Sequence, residues 1–298
     1  MSRKLTLSLL SGSLLMANIA FANTPSTQVD QLLDQAKTLL GTDIDDAEEK
    51  IEEALELAPK RADVHFLCGQ VMGIQASQSI FSALSYAGKS LDCFKQAALL
   101  EPQNTDYKYG LMMFYLGAPG IAGGDTELAW QQVNDITALD ERAGMRAKLN
   151  YYRQTDDDKA YTQTMTSAQQ RYPDHAEFYY QYGLALQQQE QYEQALAQFT
   201  QATNATIDDE EAHFKLSALY QIGRNAVFSK QAVQQGIEAL LAYVEAVPAD
   251  TGLPSAHWAH FRLAQLYRLT SATDAVKQHL KLAADTDDKQ LQDNLDEF

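Results

Sequence analysis

Apolar positions in this chain fall on helical faces that recur at a fixed spacing. The clearest case is AEFYYQYGLALQQQEQYEQALAQFTQA, residues 176–202. Tyr179, Tyr182, Gly183 and Leu186 share one face, and after a short break Ala195, Phe199 and Ala202 share a second. Thirty-four residues beyond Gly183 stands Ser217, inside HFKLSALY, with Leu216 and Tyr220 in the matching large positions. The same face returns in HFLCGQVM around Gly69, YKYGLMMF around Gly110 and HFRLAQLY around Ala264. Second helices follow in SLDCFKQAALLEP, ending at Pro102, in ELAWQQVNDITAL, and in GIEALLAYVEAVP, ending at Pro248. Upstream, VDQLLDQAKTLL and DDAEEKIEEALELAP, which closes at Pro59, read as a first pair. Residues 142–173 keep the spacing without the small residue and form a degenerate unit. The pattern predicts an all-α chain of about seven helix pairs between residues 28 and 287. The polar stretch DDKQLQDNLDEF suits the capping helix that a stack of repeats needs for solubility.

In residues 176–202 positions 4, 7 and 11 are large, 8, 20 and 27 are small, and 24 is aromatic. This resembles the tetratricopeptide repeat. The resemblance implies a right-handed α-solenoid with a C-terminal capping helix, filling one domain over residues 23–298. It also implies a division of labour, in which small residues let two antiparallel helices approach and large ones fill the wedge between them. A narrower resemblance, carried by the turn APGIAGG, is to exported proteobacterial repeat proteins of no assigned activity.

That turn lies in FYLGAPGIAGGD, residues 114–125, which holds four glycines and a proline. Gly183 and Ala195 are 12 apart, but Gly110 and Ala129 are 19 apart, so seven residues are inserted between two helices. A phosphate loop needs a strand before it and Lys-Ser/Thr after its last glycine, whereas here a helix precedes and Asp125 follows. Pro119-Gly120 suits the centre of a type II turn, with glycine at positive φ. Asp125 suits a helix N-cap. Longer spacings also separate Gly69 from Ser90 (21) and Ser217 from Gly236 (19), which predicts enlarged turns in units two, three and six.

Residues 1–22 carry a basic start at Arg3 and Lys4, an apolar core from Leu5 to Ile19, and an Ala20-Phe21-Ala22 end. This is the pattern of a cleaved secretory signal, with no cysteine near the cut to take a lipid anchor. It predicts an exported, periplasmic, soluble protein beginning at Asn23. The remaining 276 residues hold 21 Lys and Arg against 40 carboxylates, a charge of −19. So acidic a surface disfavours nucleic acid and anionic membranes as partners. Cys68 and Cys93 are the only cysteines. Export permits a bridge between them, but a buried free thiol is the reading their count favours.

The mature chain holds no H-E-x-x-H, G-x-S-x-G or C-x-x-C and no dinucleotide fingerprint. No catalytic, cofactor or metal residue is assigned. His257 and His260 are spaced as a metal pair, yet His260, His65 and His213 share one repeat position that packs against the neighbouring helix. The acidic TDIDDAEE and TDDDKAY segments lack the glycine and glutamate of a calcium loop and read as helix starts. One constellation stands out. Position 5 is aromatic in five units: Phe66, Tyr107, Tyr180, Phe214 and Phe261. By the resemblance it faces the concave groove beside positions 9 and 12, which hold Gln70, Phe114, Gln187, Gln221, Gln265 and Arg268. Such rings and amides suit an extended peptide or a helix, unless they stack between adjacent helices instead. The sequence therefore points to a protein- or peptide-binding scaffold assisting envelope assembly, secretion or a multiprotein complex. The alternatives are an enzyme on envelope glycan, which needs two opposed carboxylates in a cleft, and an acidic metal-binding protein.

Overall fold

The computed structural model describes residues 25–206, 212–248 and 252–298. The expected signal segment and its cut before Asn23 lie outside the described residues. The chain divides into two compact units, with the boundary between Leu139 and Asp140.

The first unit holds three antiparallel helix pairs. These are α1 (Pro25–Leu39) with α2 (Ile44–Leu57), α3 (Ala62–Gln78) with α4 (Ala83–Leu100), and α5 (Thr105–Gly117) with α6 (Thr126–Leu139). The second unit holds four pairs and a cap. Its pairs are α7 (Glu141–Gln154) with α8 (Asp158–Arg171), α9 (Ala176–Gln188) with α10 (Tyr192–Asn204), α11 (Ala212–Ser229) with α12 (Val233–Ala246), and α13 (Ala256–Leu269) with α14 (Thr273–Ala283). The cap is α15 (Lys289–Asp296). The described residues contain helices and no strand, and within each unit every pair packs on the next in sequence.

The helix ends follow from the sequence. Asp43, Asn104, Asp125, Asp140, Asp157 and Asp288 accept bonds from first-turn amides of the helices they precede. The TDIDDAEE and TDDDKAY segments therefore do start helices, through Asp43 and Asp157. Pro59, Pro102, Pro173 and Pro248 stand two residues beyond the ends of α2, α4, α8 and α12. There the missing N–H and the restraint on the preceding residue prevent continuation.

Packing follows the small-residue frame. A Cβ placed on Gly183 of α9 would lie 2.5 Å from the Phe199 ring of α10, so glycine lets the ring seat against the backbone. Ala195, Phe199 and Ala202 are fully buried at that contact. The degenerate unit forms its pair with Leu149 in place of the small residue, packed with Met165, Ala168 and Phe178. At the end of the chain Leu291 of α15 is buried against Phe261 and Ala283, and Trp258 Nε1 donates to Asp288 at 2.8 Å.

Three expectations are corrected. Cys68 and Cys93 are joined in a disulfide between α3 and α4, with Cα atoms 5.8 Å apart, rather than lying as free thiols. Each is one residue from a packing partner, since Gly69 receives the Phe94 ring and so draws the two cysteines together. The inserted residues of units two and six lengthen helices instead of enlarging turns. α3, α4 and α11 run to 17, 18 and 18 residues, against 13 in α5 and α9. Only in unit three do the inserted residues form a true loop, and its geometry differs from a type II turn. Pro119 is followed by one turn of 3-10 helix, Gly120–Ala122, and the positive φ (97°) falls on Gly123.

Candidate functional site

The inserted loop closes on itself. The amides of Ala122 and Gly124 both donate to the Pro119 carbonyl, and the Asp125 amide reaches back to the Tyr115 carbonyl at 2.9 Å. Gly124 is sterically obligatory, because a Cβ there would sit 1.7 Å from the Ala118 oxygen. Asp125 then caps α6, accepting from Glu127 and Leu128 at 2.8 and 3.0 Å. No phosphate-binding geometry results, and the loop serves another purpose.

It forms one wall of a cleft of about 840 Å³ in the first unit. α3 supplies Phe66, Gln70, Gly73, Ile74 and Ala76, and α4 supplies Leu84, Ala87 and Phe94. α5 contributes Met113, Phe114 and Gly117, and the loop contributes Ala118, Pro119 and Ala122. None of the lining residues is charged. The volume exists because the floor carries small residues. A Cβ on Gly117 would meet nothing within 4 Å, and one on Gly73 would meet only the Ser90 hydroxyl at 3.4 Å. The three most exposed large apolar side chains among the described residues of the same unit stand on two of its turns: Ile80 (87%) and Phe81 (100%) between α3 and α4, and Ile121 (84%) on the inserted loop. In a chain this acidic, two consecutive large apolar side chains left in water, as at Ile80 and Phe81, are unusual.

The eleven residues expected to line a groove separate into three groups. Phe66, Gln70 and Phe114 line the cleft, and Tyr107 packs on Phe66 from α5 with ring centroids 5.0 Å apart. In the second unit Tyr180 and Phe214 lie 5.7 Å apart between α9 and α11. Gln187 is buried and donates to Asn225, while Arg224 reaches Gln187 and Gln221. Burial pushes the Tyr180 phenol up. Gln187 therefore bonds to neighbours rather than stands open, while Gln221 also lines a pocket of about 600 Å³ with Tyr220, Arg224 and Trp258. Phe261 is buried beneath Trp258 and Phe298, Gln265 accepts from Arg262, and the Arg268 guanidinium lies 4.0 Å from the Phe298 ring centroid. The chain's own C-terminal residue thus covers two of the expected groove positions.

Other chemistry is sparse. Glu177 is the buried carboxylate among the described residues, and Arg146 binds it at 2.7 Å, so no buried carboxylate pair is present there. No three His, Cys, Asp or Glu side chains gather as a metal site among the described residues. His257 bonds to the Leu282 carbonyl, while His260 pairs with His279 at 3.1 Å. No described helix is long and apolar enough to cross a membrane.

The sequence missed the cleft floor and its rim. The signal was present as apolar Ile80, Phe81 and Ile121 inside insertions that should be polar, and as glycines at Gly73 and Gly117 outside the repeat's small positions.

Comparison with solved structures places the fold. Yeast Tom70 superposes with a TM-score of 0.66 at 14% identity, over 90% of this chain and 53% of that one. The anaphase-promoting-complex hetero-tetramer Cut9–Hcn1 gives 0.49 at 12% identity, over 95% and 50%. Pseudomonas aeruginosa PilF gives 0.41 at 11% identity, over 92% and 99%. The chain spans about half the length of the first two. No family model matches the sequence, and no curated protein matches it.

Proposed function

We infer a binding role from the all-α helical-repeat fold that the chain shares with solved tetratricopeptide repeat structures. From that premise we propose that it is an exported scaffold without catalytic activity, which binds a protein or peptide and assists envelope assembly, secretion or a multiprotein complex. The observation that carries this reading is the uncharged cleft of the first unit with its exposed apolar rim. Its volume lies within the roughly 300–1,000 Å³ of ordinary ligand pockets. The Cys68–Cys93 disulfide supports export, since such bonds persist in oxidising compartments. Pairing of the one buried carboxylate among the described residues with arginine supports binding over glycan hydrolysis.

The test is site-directed photo-crosslinking in cells. A photoreactive residue at Phe81 or Ile121 should give a discrete adduct, and one at exposed Leu269 of the second unit should not. Absence of any adduct at Phe81 and Ile121, or turnover of envelope glycan by the purified protein, would overturn the proposal.

A further inference from the structure

We propose that the first-unit cleft receives an apolar α-helical segment of a partner protein, flanked by basic residues. This rests on the scaffold reading above and names the chemistry of the bound segment.

The helical form follows from what the cleft lacks. An extended peptide carries one N–H and one C=O per residue into its site, and each needs a partner once water is excluded. The hydroxyls of Ser77 and Ser90 already donate to the carbonyls of Ile74 and Gly69, both at 2.7 Å. The described residues offer no sheet edge for strand addition. The remaining polar side chains of the lining, Gln70 and Tyr109, are too few for an extended backbone. A helix satisfies its own backbone and presents only side chains, arranged as an apolar stripe. The lining suits this, because Gly73 and Gly117 place no side chain of their own in the cleft.

The basic flanks follow from charge. Residues 25–139 carry seventeen carboxylates against seven Lys and Arg, while the cleft itself carries no charge. The cleft therefore belongs to a unit of strongly negative net charge, whose field attracts cations next to a bound segment. The same field opposes the other occupants. A second copy would bring a like-charged unit against this one, and an anionic acyl chain would bring a carboxylate or phosphate.

The experiment uses the chain from Asn23 and a fluorescent Ala/Leu peptide of roughly 18 residues, long enough to be helical alone. One version carries lysines at both ends and the other glutamates. Anisotropy at low salt should show the lysine version binding at least about tenfold more tightly, with the difference shrinking at physiological salt. Gly117→Leu should weaken it by a further factor of about ten, with a melting temperature no lower than the parent's because a Cβ there meets no neighbour and leucine favours helix over glycine. Ile121→Asp, on an exposed rim residue, provides a second variant that folding cannot confound. Equal binding of the two peptides, full binding by both variants, tighter binding of a nonionic detergent chain at the same site, or dimers that Gly117→Leu dissolves would each overturn the proposal. If neither peptide binds while Phe81 still crosslinks a partner, the helix proposal fails and the scaffold reading stands.

Discussion

At the scale of single residues, glycines divide by what they face. Gly183 receives the Phe199 ring, so Gly183→Leu should destabilise by about 1–3 kcal/mol or more through overpacking. A thermal melt alongside Gly117→Leu checks this, since Gly117 opens into the cleft and should tolerate the same change. The histidine pair makes a second prediction. Burial lowers the affinity of both His260 and His279 for protons, and their mutual proximity lowers that of His260 further. The unfolded chain then binds more protons than the folded one below about pH 6.5. Stability should rise with pH through that region and fall as the pH drops from about 6.5 toward 5. Urea titrations of the parent and His279→Gln across this range should show the parent losing more stability on acidification. Equal slopes would remove the pair from the account. Gly183, Ala195 and Phe199 were legible in the sequence because their spacing reports contact directly. Gly123 was not, because several turns suit Pro-Gly, and only the reach of Asp125 to the Tyr115 carbonyl selects this one.

At the scale of elements, the seven pairs and the cap were legible from the recurrence of small residues. The fate of the insertions was not. Counting from one small residue to the next registers added length but not whether it extends a helix or forms a loop. In units two and six the sequence between the small residues holds no proline and propagates helix, whereas Pro119 and the glycines after it stop α5. Loop closure depends on Gly124, so Gly124→Ala should displace the loop and reduce peptide binding while leaving circular dichroism near the parent's. Binding at the parental level would show the loop wall to be dispensable. The disulfide between α3 and α4 escaped the sequence reading because a count of two cysteines carries no geometry, although the Gly69–Phe94 contact implied it. Closing a 25-residue separation should contribute about 3–4 kcal/mol by chain-entropy reckoning. Cys93→Ser, compared with the parent in equilibrium denaturation without reductant, measures that contribution.

At the scale of the whole molecule, the two compact units have separate cores. Ile136 is buried in the first and Phe199 in the second. Ile136→Ala and Phe199→Ala should each cost several kcal/mol, about 2–5 and 3–5 respectively. Combined, their effects should add within roughly 0.5 kcal/mol, as substitutions without shared partners do. A larger coupling in denaturant titrations would mean that the two sites interact energetically. The candidate site could not be found by treating all repeats alike. The aromatic row recurs in five units, but the uncharged cleft adjoins small lining residues and the inserted loop, whereas the second-unit pocket beside Gln221 is lined by Arg224, Arg262 and Asp288.

Nearest-neighbour packing also governs how the chain acquires its structure in time. Within each unit the helix contacts join elements adjacent or nearly adjacent in sequence, so little of the chain must be searched before the first stabilising contacts form. Such low contact order goes with folding on the microsecond-to-millisecond scale rather than seconds. The cysteines lie on the two arms of a single helical hairpin. Their oxidation can therefore begin once α3 and α4 have met, while the rest of an emerging chain is still being delivered.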